Sequence, residues 1–153
     1  MKDNSVRVTT FVAVDPADAF EVFTEETDLW WRQGPRFRGI SGGSLRFENQ
    51  EKLVEVAQDG TRRDIGRVIL WQPGKRLTFE WRAEDFAPEE LTLVDVSFEV
   101  ASGGTRLVVE HRGFATLRAG HPGRRGLEGE AFTSMMGLWW GDLLTSYRER
   151  AAR

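Results

Sequence analysis

Two histidines are the side chains in this 153-residue chain whose ordinary pKa puts a charge change near neutral pH, so acid-base chemistry starts with them. His111 ends a run in which Leu107, Val109 and His111 share one face of a strand, so it is expected to point inward. There an imidazole could serve as general acid or base, or order the sheet edge through a buried hydrogen bond. His121 lies in a glycine-rich basic stretch with Arg118, Arg124 and Arg125 and is expected to be a solvated loop residue. Those three arginines have the chemistry to hold a phosphate or carboxylate, although such loops are ordinarily just hydrated. Strand phase turns Glu48, Asp95 and Glu110 outward, which leaves Asp142 as the candidate partner for His111.

Other chemistries have little to stand on. The chain has no cysteine, which removes disulfides, thiolate metal ligands and a cysteine nucleophile. Two histidines with no His-x-x-x-His pair give poor support for a metal site, so neither metal nor cofactor is expected. Nucleophile-elbow, phosphate-loop and dinucleotide fingerprints are missing from the sequence. A net charge of −3 gives no strong attraction to nucleic acid or anionic lipid, so neither is an expected partner. The start, Met1 to Val6, lacks the apolar core of a signal peptide, and no apolar run approaches the roughly 20 residues of a membrane span. A cytoplasmic location is therefore expected.

The elements that must position these residues follow from periodicity. Val6, Val8, Val12 and Val14 mark a first strand, which Asp15 and Pro16 end by capping and starting a helix that carries Ala19, Phe20 and Phe23 inward. A short helix over 25–31 follows, and Gly34 and Pro35 break it. Six strands are predicted over 45–47, 53–57, 67–71, 77–81, 91–100 and 106–111, with turn chemistry at Asp59-Gly60, Pro73-Gly74 and Gly103-Gly104. Leu77, Phe79 and Trp81 alternate with Thr78, Glu80 and Arg82, and Val94, Val96, Phe98 and Val100 with Asp95, Ser97 and Glu99. Both strands should be apolar on the inner face.

The last helix has the widest apolar face. At about 100° per residue, Phe132, Met135, Met136, Trp139, Trp140, Leu143, Leu144 and Tyr147 sweep roughly half its circumference. A sheet that covers so broad a face must curl around the helix, a shape that tends to leave a cavity. The simpler alternative is that the whole stripe is core. The expected ligand-lining residues are Trp30, Trp31, Phe47, Phe79, Trp81, Phe98, His111, Met135, Met136, Trp139 and Leu143, with Trp30 and Trp31 either at the mouth or anchoring the short helix.

The pieces Phe23-Thr24, Leu29-Trp30-Trp31, Gly42 to Phe47, Gly66-Arg67-Val68, Pro73 to Trp81, Gly104 to Leu107, His111 to Phe114 and Gly137 to Leu144, in this order, resemble the START-like (SRPBCC) superfamily. Within it they are similar to the group related to the C-terminal domain of the activator of Hsp90 ATPase. The resemblance implies an α+β helix-grip fold over residues 1–153 as one START-like domain. Its elements are a curved seven-stranded antiparallel sheet wrapped around a long C-terminal helix in β-α-α-β6-α order, with an apolar pocket between them. The fold hosts many functions. The leading expectation is binding of a small, largely apolar organic molecule. The alternatives are an acid-base enzyme of cyclase or lyase type using His111, and an Hsp90 co-chaperone-like module. Hsp90 activation is not expected, because the eukaryotic activator has a further N-terminal domain that makes much of the chaperone contact.

Overall fold

A computed structural model describes residues 4–82 and 86–153. Seven strands form one antiparallel sheet: β1 (Ser5–Val12), β2 (Ser44–Glu48), β3 (Lys52–Val56), β4 (Arg62–Gln72), β5 (Arg76–Trp81), β6 (Thr92–Ala101) and β7 (Gly104–Arg112). Their spatial order is β1-β7-β6-β5-β4-β3-β2. The chain therefore leaves β1 at one edge, crosses through the helices α1 (Pro16–Glu25) and α2 (Thr27–Trp30), and re-enters at the other edge before meandering back. A final helix, α3 (Gly129–Ala151), lies against β1 and packs on α1 and α2.

Local chemistry explains the helix start. Asp15 caps α1 by accepting the amide of Asp18 at 2.8 Å, and Pro16 occupies the first turn. Ala19, Phe20 and Phe23 are buried as expected.

Strand β4 begins five residues earlier than its alternation predicts, because Arg62, Arg63, Asp64 and Gly66 hide the apolar signal. It is also irregular. Its pairing shifts register once against β3, between Leu53 and Val54, and once against β5, between Val68 and Leu70. Two such shifts bend a strand and increase its twist, which is how this sheet curls. Gly66 sits at the tightest approach: a Cβ there would lie 1.6 Å from the carbonyl oxygen of Glu80.

Leu77, Phe79, Trp81, Val94, Val96 and Phe98 are buried on the inner face. Val100 is not; it is 84% exposed, because β6 runs past the end of the core before turning at Gly103. On the outer face Asp95 is held between Arg76 at 2.5 Å, Thr78 at 3.1 Å and Arg112 at 3.4 Å. The Arg76 guanidinium keeps its carboxyl below the usual carboxylate range. Glu48 and Glu110 likewise pair with arginines there.

Candidate functional site

The apolar stripe of α3 divides along its length. Trp140, Leu143, Leu144 and Tyr147 are buried, and Tyr147 ties α3 to the first two helices: its hydroxyl donates to the carbonyl of Ala19 at 2.7 Å, and its ring meets Phe23 and Trp30. Helices α1 and α2 thus fill the gap between sheet and α3 at this end. Toward the start of α3 no residue of α1 or α2 borders the space. A cavity of about 760 Å³ remains, and Phe132, Met135, Met136 and Trp139 line it.

The opposite wall comes from the sheet, where Trp81, Thr92 and His111 face the cavity. Loops close the sides. Gly113 at φ 95° lets the chain leave β7 sharply, and a Cβ there would meet the carbonyl oxygen of Leu91 at 2.7 Å. The turn that follows turns Phe114 and Leu117 into the lining. Glu90 ties this loop down: one carboxylate oxygen accepts from the amide of Ala87 at 2.8 Å and the other from the amide of Arg118 at 2.6 Å. These amide bonds, that of Ala87 first, hold its carboxyl below the usual carboxylate range. The segment 35–39 forms another side, fixed to α3 where the indole of Trp139 donates to the carbonyl of Arg36 at 2.6 Å.

Of the residues expected to line a ligand site, Trp81, His111, Met135, Met136 and Trp139 border this cavity. Trp30, Trp31, Phe47, Phe79, Phe98 and Leu143 do not reach the cavity; they belong to the core. Periodicity assigns a side chain to a face but does not tell which part of that face is covered. Trp30 anchors α2 by donating to the carbonyl of Phe23 at 3.2 Å. Trp31 backs the cavity wall, with its ring against Trp81 and Trp139 and its N–H on the carbonyl of Phe37 at 3.0 Å.

His111 is inward, at 1% exposure, and its partners differ from those expected. Trp140 donates its indole N–H to Nδ1 at 3.1 Å, and Nε2 lies 2.9 Å from Oγ1 of Thr92. An indole can only donate, so Nδ1 is the acceptor and the proton sits on Nε2. Thr92 accepts that proton and donates its own to the carbonyl of Trp81 at 2.7 Å. Burial pushes the imidazole down to about 3, so it is neutral at physiological pH, and its lone pair is already occupied. Asp142 takes no part. It sits on the exposed side of α3, 3.5 Å from Arg36.

His121 also departs from the expected solvated loop position. It is 3% exposed rather than solvated, lines the cavity, meets the edge of Phe86 at 4.5 Å between centroids, and accepts the amide of Gly123 on Nδ1. Of the basic loop, Arg118 pairs with Glu90, and Arg124 donates to the carbonyls of Phe114, Leu117 and Arg118 while lying over the ring of Phe132. Both serve the loop itself. Phe37, Phe86, Phe114 and Leu117 line the cavity without having been anticipated. The usable signal was large apolar residues set in glycine- and proline-broken loops, where no strand or helix accounts for them.

Among the described residues no three His, Asp or Glu side chains gather as a metal site would require. No helix there is long and apolar enough to cross a membrane.

The model of the family described as activator of Hsp90 ATPase homolog 1-like protein matches residues 13–136. No curated protein matches the chain. Among solved structures, protein CV1439 from Chromobacterium violaceum aligns with a TM-score of 0.65 at 15% identity over 98% of both chains. An HSP90 activator from Plasmodium falciparum, PFC0360w, aligns with a TM-score of 0.61 at 18% identity over 93% of this chain and 91% of that one. CalU16 from Micromonospora echinospora aligns with a TM-score of 0.60 at 16% identity, over 97% of this chain and 76% of its own. At such identities the likeness is one of fold.

Proposed function

The chain belongs to the activator of Hsp90 ATPase homolog 1-like family, and from that premise we propose that it binds a small, largely apolar organic molecule between the sheet and α3. The observation that carries this reading is the cavity itself. Its volume of about 760 Å³ lies in the range of small-molecule sites, and its walls set eleven aromatic, Met, Leu and Pro residues beside eight polar or charged ones. An acid-base enzyme centred on His111 has less support, because the imidazole has no lone pair to offer and, among the described residues, no carboxylate bonded to it.

Two measurements test the reading. Native mass spectrometry of protein purified from its own cells should show a mass increment of one small molecule per chain. Because Trp81 and Trp139 line the cavity, titration with apolar probes should change tryptophan fluorescence saturably. No adduct together with no saturable change across a panel of aliphatic and aromatic probes would remove the proposal.

A further inference from the structure

The charges around the cavity point to the kind of molecule it takes. Among the described residues its lining includes four arginines, Arg36, Arg38, Arg63 and Arg125, against one acidic residue, Glu55. That balance is the reverse of the chain's net −3.

Two of the four are committed elsewhere. Arg38 is buried and spends its donors on Asp28 and on the carbonyls of Trp31 and Arg32. Arg63 binds Glu55, whose carboxylate also accepts the amides of Gly39 and Ile40. Glu55 is thereby saturated and 3% exposed, so it does not offset the remaining charge.

Arg36 and Arg125 differ. Arg36 is half-exposed and reaches only Asp142, at 3.5 Å, itself half-exposed. Its position is nonetheless fixed, through Trp139 on its carbonyl and through its guanidinium over the ring of Phe37 at 5.0 Å. Arg125 makes no ion pair or side-chain hydrogen bond with any described residue. It is held at φ 49°, a conformation uncommon for a non-glycine residue, by the turn that its amide closes on Pro122.

We propose that the ligand is an amphipathic carboxylate, its anionic group held by Arg36 and Arg125 and its apolar body against Trp81, Met135, Met136 and Trp139. This rests on the binding reading above. A cleft lined by one sign of charge over low-dielectric walls concentrates the opposite ion, and a guanidinium fork matches a carboxylate in geometry.

The test compares dodecanoate, dodecan-1-ol and dodecyltrimethylammonium by calorimetry below their micelle concentrations, on the native chain and on the R36Q/R125Q variant. Dodecanoate should bind about tenfold or more tighter than the alcohol at low salt and lose most of that margin at high salt. The double variant should bind the acid and the alcohol equally, with the affinity for the alcohol unchanged. If the alcohol or the cation binds as tightly as the acid, or the variant keeps the preference, the carboxylate inference fails while apolar binding stands. If none of the three binds, the carboxylate inference fails, and the binding reading falls with it if the adduct and the wider probe panel are also negative.

Discussion

The indole N–H of Trp140 on α3 donates to Nδ1 of His111 on β7, so the one histidine in the sheet is locked to the helix across the inner end of the cavity. This contact fixes the tautomer, commits Nε2–H to Thr92 and leaves the imidazole as a structural bridge.

The bridge should be visible in the pH dependence of stability. The folded value of about 3 lies below the ordinary 6.5, so between these pH values the unfolded chain binds the proton that the folded chain refuses. The contribution of His111 is complete above its unfolded pKa and is lost as pH falls toward 3. Urea unfolding should therefore show a slope approaching about 1.4 kcal/mol per pH unit from this group. His111→Gln should remove it. Glu48, Glu90 and Asp95 are held low and lose their contributions further down, so between about pH 5 and 6.5 the difference between the native chain and His111→Gln reports this histidine. Parallel profiles for the two proteins in that window would contradict a buried neutral imidazole.

Thr92→Val removes the hydroxyl that joins His111 to the carbonyl of Trp81 and leaves two buried groups unsatisfied. A loss of about 1–3 kcal/mol is expected, with a similar loss for His111→Ala. Thermal or urea unfolding reads it directly. Unchanged stability with abolished function would instead assign these residues to chemistry.

Core and cavity residues should separate under substitution. Phe79 is fully buried outside the cavity, and Phe79→Ala should cost about 3–5 kcal/mol. Met136 borders the open space, and Met136→Trp puts an indole into it. The tryptophan should change stability by less than about 1.5 kcal/mol while weakening apolar probes by about tenfold or more. Retained probe binding in Met136→Trp would place the site elsewhere.

We expect no stimulation of an Hsp90 ATPase. Among the described residues the exposed large apolar side chains are Phe11, Leu29, Ile69, Val100 and Leu138, one on each of five elements rather than a stripe on one. A stable partner interface commonly buries about 1,200–2,000 Å² around a contiguous apolar centre. Titrating the purified protein into Hsp90 from the same organism and following ATP hydrolysis checks this. A saturable, several-fold rise would overturn it.

Much of the fold is legible in the sequence. Alternation in β5 and β6, the cap at Asp15 and the stripe on α3 each report a local rule whose period equals the geometry of the element, so the strands and helices appear in their expected order. The same rule put His111 inside. It went wrong at Val100, where alternation continues past the end of the core, and it shortened β4, where charged residues cover the pattern.

The sequence by itself therefore determined which elements form and which faces are apolar, because those depend on neighbours within one or two turns or pleats. Only the tertiary structure decided which part of each apolar face stays uncovered. That depends on where α1 and α2 come to rest across the sheet, and it separates Trp139 at the cavity from Leu143 in the core, four residues along the same stripe of α3. It also decided the partners of His111. Trp140 lies 29 residues beyond it and Thr92 19 residues before it, and they meet it only when β6, β7 and α3 pack together.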